Sequence, residues 1–401
     1  TLLQSEQFQR SFGHYVGYSM ASGSQAGSLS NYLNTSMLNR GGDVYTTSYT
    51  YQTNAAASDY AYGAPSLVSK SSNLGNGTRT SATTYTHRTT PWVLALPASV
   101  TENGVPIDTI AYDGLGRATQ VNRFGSLFAA YGYHTASGQA GMLAWEDNAL
   151  LQRTSYNSYK RGIAQSVTRR DGVTISGAVN DNGWITSATN ARNFTTTFQY
   201  NGLGRVTYVG RPGGFAPTSI SYTYNANGLS RVATTGAMSV TTDFDGLLQP
   251  HLVARAGSGL STVYTKKTYD GLGRATFESW PSFSSNPSTG VVTSYDGLDR
   301  VTQTQENVAP TATTTFAYLS QNRTRVTDPA NAQTTTKFSG YGAPDDGAAI
   351  ETIDAMGATT TITRDLFGNV TQLTQSGTQN GYSTSVTRNF WYDGRLRLCR
   401  H

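Results

Sequence analysis

Residues 112–117 read YDGLGR, and residues 269–274 read YDGLGR again. Between them NGLGR follows Tyr200, and later the chain reads YDGLDR at 295–300 and YDGRLR at 392–397. A string that recurs this often is either a repeated active-site loop or a repeated turn, and the spacing decides for the turn. The residue that closes a β-rich run before an Asp, Asn or Gly cluster falls at Tyr112, Tyr133, Tyr156, Val179, Tyr200, Tyr224, Phe244, Tyr269, Tyr295, Tyr318, Tyr341, Arg364 and Tyr392. The step is roughly 20 to 28 residues, in the range of stacked repeat architectures.

One repeat shows the logic. In 194–211 (FTTTFQYNGLGRVTYVGR), Phe194, Thr196, Phe198 and Tyr200 alternate with Thr195, Thr197 and Gln199. Period two marks a strand. The Asn or Asp that follows can accept backbone N–H bonds from two residues on and close a turn, and the glycines allow positive φ. Leu203 is expected to fold back against the core. Strand character resumes at Arg205, so each repeat is one β-hairpin. An isolated hairpin is marginal in water, so neighbouring hairpins are expected to pair edge to edge in one antiparallel sheet. The motif residues are then structural: Tyr112, Asp113, Gly116 and Arg117; Tyr200, Asn201, Gly204 and Arg205; Tyr269, Asp270, Gly273 and Arg274; Tyr295, Asp296 and Arg300; Tyr392 and Asp393. The tyrosines are expected to be mostly buried and stacked as a ladder, with Asp and Arg alternating along the turn edge. Helix signals are nearly absent; 26–40 (AGSLSNYLNTSMLNR) reads as a short helix or loop.

Composition narrows the class. The net charge is +5 over 401 residues, and many Arg sit at one repeat position, as in Arg117, Arg205, Arg231, Arg274 and Arg300. Charge spread along an array argues against nucleic acid, whose binders gather it on one face. No apolar run reaches the roughly 20 residues of a membrane-spanning helix. With one cysteine, Cys399, no internal disulfide can form. The chain opens TLLQSEQF and ends inside a repeat, which leads to the expectation of cuts at both ends from a longer chain, with 1–44 an N-terminal segment of uncertain structure and 45–401 the repeat array.

Strand, then Tyr-Asp-x-x-Gly-Arg-(Val/Leu/Ala)-Thr, at this spacing resembles the YD repeat of the Rhs family. That family includes bacterial Rhs polymorphic toxins, shell components of Tc toxins, wall-associated toxins and teneurins. The resemblance covers roughly residues 100–401, with weaker members at 45–104. It implies an all-β fold, in which repeated antiparallel β-hairpins form a continuous spiralling sheet, part of a hollow YD-repeat shell. It also implies a structural scaffold, secreted or at the cell surface, that encapsulates a C-terminal toxin or effector domain of the same polypeptide. The family's self-cleaving core region is not recognisable here, so its proteolytic residues carry over to no position.

The chemical alternatives are weak. His14, His87, His134, His251 and His401 lack metal-ligand spacing. There is no GxSxG or HExxH motif. Glu146 and Asp147 are adjacent and point to opposite faces of a strand, Asp345-Asp346-Gly347 reads as a turn, and 180–183 (NDNG) lacks the downstream acid of a calcium loop. The expectation is no catalytic, cofactor-binding or metal site, hence no cofactor and no enzyme. A second reading remains: an extracellular adhesive or carbohydrate-binding β-repeat module that meets cell-surface glycans, or sister chains as a filament through open sheet edges. Exposed aromatic rings in a groove would favour it.

Overall fold

The computed structural model describes residues 6–16, 29–52, 63–88, 90–225, 228–379 and 381–401. Among these residues there are 33 strands and no helix. In the main sheet, strands consecutive in the chain pair antiparallel, as Thr195–Tyr200 with Val206–Gly210, and that strand with Thr218–Asn225, while Trp391–Tyr392 and Leu398–Arg400 pair in a small sheet of their own. The turns therefore alternate between two edges of the sheet. The all-β hairpin array expected from the repeat is present.

One reading is corrected. Leu29–Arg40 is a twelve-residue strand, not a helix or loop, and 26–28 lie outside the described residues. It pairs with Glu6–Val16 on one side and Asp43–Tyr51 on the other. Leu29, Leu33 and Met37 have helical spacing, but two partner strands override that local preference. Strand pairing thus crosses position 45 without a break.

The chain divides into two compact units, residues 131–315 and residues 1–130 with 316–401. Each is mostly single sheet, so most side chains are half-buried and few are enclosed. Tyr45, at 1% exposure, and Tyr341, at 4%, are among the few buried large apolar residues. Both belong to the unit made of the two chain ends, called here the first unit. Tyr341 does not end a strand, as its place in the repeat suggested, but sits in the loop 339–348. Tyr156 likewise lies within the strand Arg153–Lys160.

Candidate functional site

Each YD motif builds the same turn. Asp270 Oδ1 accepts the N–H groups of Leu272 and Arg274, both at 3.0 Å. Its backbone N–H reaches the Arg274 carbonyl at 3.0 Å, and Gly273 N–H returns to the Asp270 carbonyl at 3.0 Å. Gly273 has φ of 82°, where any other residue would be strained. Asp270 Oδ2 then takes the Arg274 guanidinium at 2.7 Å. Asp113 with Gly116 and Arg117, Asp296 with Arg300, and Asp393 with Arg397 repeat the arrangement. Asn201 keeps the turn with Gly204 but has no charge for Arg205, which donates instead to the Tyr224 hydroxyl at 3.1 Å and lies over the Tyr222 ring.

The Asp–Arg pairs thus close within one turn instead of alternating between turns. The Arg397 N–H, then its guanidinium, hold the Asp393 carboxyl down at about 2. The guanidinium of Arg274 likewise lowers Asp270. Arg274 also reaches forward to the carbonyl of Asp296 at 3.1 Å and to Asp299 at 2.7 Å, tying one turn to the next on its edge.

The tyrosines occupy equivalent positions but not the expected ones. Tyr112, Tyr200, Tyr269, Tyr295 and Tyr392 are half-buried, and they are linked by hydroxyls instead of stacked rings. Each hydroxyl donates to a backbone carbonyl of an earlier strand: Pro97, Ile185, Pro250, Ala275 and Val370, at 2.6–2.9 Å. Tyr200 does meet a ring, that of Trp184, at 5.2 Å between centroids. A sheet one layer thick cannot enclose a whole ring, so the phenol is held by its polar tip. Leu203 is also corrected: it projects outward at 74% exposure, as does Leu272 at 73%.

The motif threonine carries a role that the sequence reading missed. The YD hairpins slip register by one residue at the tyrosine, as between Ala111 and Tyr112 and between Thr268 and Tyr269, and the hairpin of Thr359–Arg364 slips likewise between Thr363 and Arg364, where Arg364 stands in the tyrosine's place. The extra residue is Thr119, Thr276 or Thr371, and its hydroxyl donates at 3.2 Å to the carbonyl of Ala111, Thr268 or Thr363. A bulge needs a local partner for its displaced backbone, and the recurrent Thr in the motif is the signal that could have found it.

The second element the sequence did not announce is a seam inside the first unit. Four turns on one edge meet four turns on another, in the same order, between partners 263 to 279 residues apart. Asp43 accepts the N–H groups of Gln321 and Asn322 at 2.8 and 2.7 Å. Ser72 donates to the Gly340 carbonyl at 2.6 Å, and Asn76 accepts the Gly340 N–H at 3.1 Å. Arg79 donates to the Asp346 carbonyl and covers the Tyr341 ring at 3.8 Å. Asn103 donates to the Leu366 carbonyl at 3.2 Å, and Arg395 to Ser126 Oγ at 2.8 Å.

The loop 339–348 is shaped for this contact. Asp346 gathers the N–H groups of Tyr341, Gly342 and Ala343, so Asp345-Asp346-Gly347 is part of a loop closure, as read. Gly340 is needed because a Cβ there would lie 2.6 Å from Tyr45. Burial, then the nearby Asp43 carboxylate, pushes the Tyr45 phenol up to about 12.

The remaining candidates stay scattered. Asp147 holds Arg153 through two bonds of 2.8 Å, while Glu146 accepts the Tyr156 hydroxyl at 2.7 Å. His134 meets the Tyr156 carbonyl. Among the described residues no group of three or more His, Cys, Asp or Glu is placed to hold a metal ion.

Comparison with known proteins agrees with the turn geometry. The RHS Repeat family matches residues 179–216. No curated protein sequence matches the chain significantly. Among solved structures, "Crystal Structure of TcdB2-TccC3" aligns over 91% of this chain and 28% of its own, at 11% identity and a TM-score of 0.62. "Crystal Structure of TcdB2-TccC3-Cdc42" aligns over 98% of this chain and 25% of its own, at 11% identity and a TM-score of 0.56. The chain spans only about a quarter of the length of these relatives. It thus carries an Rhs repeat on a fold shared with the TcdB2-TccC3 structures, and the resemblance to the Rhs/YD-repeat family drawn from YDGLGR stands.

Proposed function

We propose that the chain is a structural scaffold: a stretch of wall in an Rhs-type shell that encapsulates a toxin or effector domain carried on the same polypeptide, secreted or held at a cell surface. The seam carries this reading. Bonds between residues more than 260 apart in the chain do no chemistry, yet they consume aligned donors and acceptors on successive turns. Such an edge-to-edge joint is what a wall built from one sheet requires, because unsatisfied buried backbone groups each cost about 1–3 kcal/mol. The motif tyrosines are half-buried, with their hydroxyls on backbone carbonyls, instead of standing as an exposed row of rings, so the adhesive reading ranks second. The role proposed is non-catalytic.

The test is protease protection. In a polypeptide carrying this chain and its effector domain, the effector segment should resist added protease. It should become digestible when Asp43→Ala and Tyr341→Ala open the seam. Equal digestion with the seam intact and broken would count against encapsulation.

A further inference from the structure

Four of the YD turns close on an ion pair, and the turn at 201–205 does not. Arg117, Arg274, Arg300 and Arg397 each donate from Nε to Oδ2 of the aspartate four residues back, at 2.7–2.8 Å. At 201–205 that aspartate is Asn201. Its Oδ1 takes the N–H groups of Leu203 and Arg205, both at 3.1 Å, as in the other turns. Where the others have Oδ2 it has Nδ2, a donor like the guanidinium. Arg205 Nε is accordingly buried with no partner. The arginine is nevertheless placed as if for the pair. Its guanidinium carbon lies 4.4 Å over the ring of Tyr222, whose hydroxyl bonds the Val206 carbonyl. In the complete turn, Arg274 lies 4.7 Å over the ring of Tyr295, whose hydroxyl bonds the Ala275 carbonyl. One atom separates the two turns: an oxygen in the place of Nδ2.

An asparagine loses its amide nitrogen when the next backbone nitrogen attacks Cγ, and three features favour that attack at Asn201. The next residue is Gly202, exposed and with no Cβ to shield the nitrogen. The turn bonds the N–H groups of Asn201, Leu203, Gly204 and Arg205 and leaves that of Gly202 out. Two N–H groups already point at Oδ1, the atom on which negative charge develops, and donors preset in this way lower the barrier of acyl transfer. No other described asparagine combines these features. Asn148, Asn180 and Asn190 hold the same two N–H bonds but precede Ala149, Asp181 and Ala191. Asn76, Asn103 and Asn182 precede glycine. Of these, Asn76 and Asn103 take one N–H each on Oδ1, and the Gly183 N–H that follows Asn182 is bonded to the Asn180 carbonyl at 3.1 Å.

We propose that Asn201 is a self-modification site: the folded turn converts it to aspartate and so completes the missing ion pair. The Gly202 nitrogen bonds to Cγ, the Cγ–Nδ2 bond breaks, and ammonia leaves with the proton of the Gly202 N–H. Water then opens the cyclic imide at Cγ, breaking the new bond and restoring that N–H. The net reaction takes up one water and turns a neutral amide into a carboxylate and an ammonium ion, with nothing oxidised or reduced. The positive charge of Arg205 draws the forming carboxylate to the side chain. Opening at Cγ therefore prevails over opening at the main-chain carbonyl, which would give isoaspartate and lengthen the backbone inside the turn. The step requires nothing enclosed, so it stands or falls apart from the scaffold reading.

Peptide mapping by mass spectrometry tests this on the folded 401-residue chain held at neutral pH. Asn201 should turn to aspartate at least about tenfold faster than Asn76, Asn103 and Asn182. In denaturant, where the donors to Oδ1 are gone, the four should convert at similar rates. An aspartate-specific protease that spares isoaspartate should cut at the product. Gly202→Ala, whose methyl meets open space, should slow the conversion severalfold without lowering the melting temperature. Asn201→Asp should melt above the parent, and the gain should vanish when Arg205→Gln is present in both chains. An Asn201 that converts no faster in the folded chain than the other three, isoaspartate as the main product, or an Asn201→Asp chain that melts no higher than the parent would overturn the proposal.

Discussion

Two turns with nearly the same backbone behave differently in the two units. Asp270 in 270–274 and Asp365 in 365–369 each accept N–H groups two and four residues on. Yet Leu272 is 73% exposed, while Phe367, at the same position of the second turn, is half-buried, and the carbonyl of its neighbour Leu366 is bonded by Asn103. The motif therefore specifies a turn and no more. What the turn does depends on whether another edge of the sheet arrives opposite it. Stability is shared with the next turn along the edge at 270–274, and across more than 260 residues at the seam.

The largest break in that comparison should come from Tyr45. The ring is enclosed at the seam, so Tyr45→Ala should destabilise the first unit by about 3–5 kcal/mol, read as a fall in the denaturant midpoint. Leu272→Ala should move the midpoint by no more than about 0.5 kcal/mol. Equal losses would erase the distinction between covered and bare turns. Gly340→Ala should follow at about 1–3 kcal/mol, since the new methyl meets the Tyr45 ring. Asp43→Ala should also cost about 1–3 kcal/mol by orphaning the N–H groups of Gln321 and Asn322.

The smallest effect concerns acid. Asp393 is held down at about 2 in the folded chain, below the unfolded carboxylate range near 4. A depressed carboxylate contributes stability above its unfolded value and loses it as pH falls through the folded one. The turn at 393–397 should therefore loosen between about pH 4 and pH 2, and Asp393→Asn should flatten that part of the profile. A profile with the same slope in the variant would remove Asp393 as its source.

Much of the fold was legible because its instructions are local. Asp113 and Asn201 cap their own turns, Gly116 and Gly204 supply positive φ, and Arg117 pairs four residues back. These relations lie within a few positions, so a repeated hexapeptide exposes them. Leu203 was misread because an apolar residue in a turn suggests burial, whereas the Asx geometry directs it outward. The tyrosines were placed in the right row but given the wrong partner, since strand alternation reveals a face without saying how much covers it. The seam left no trace. Its side chains bind backbone: Asp43 takes the N–H groups of Gln321 and Asn322, which no residue type there announces, and nothing at 340 but a glycine reports the ring of Tyr45.

The central claim is that turns far apart in sequence are clasped through side chain to backbone bonds, and amide hydrogen exchange reads those bonds directly. In the parent chain the amides of Gln321, Asn322 and Gly340 should be protected. In Asp43→Ala, protection at Gln321 and Asn322 should fall by about tenfold or more, with the amides of Leu272 and Arg274 unchanged. Protection at Gln321 and Asn322 that is absent in the parent, or that survives the loss of Asp43, would contradict the seam.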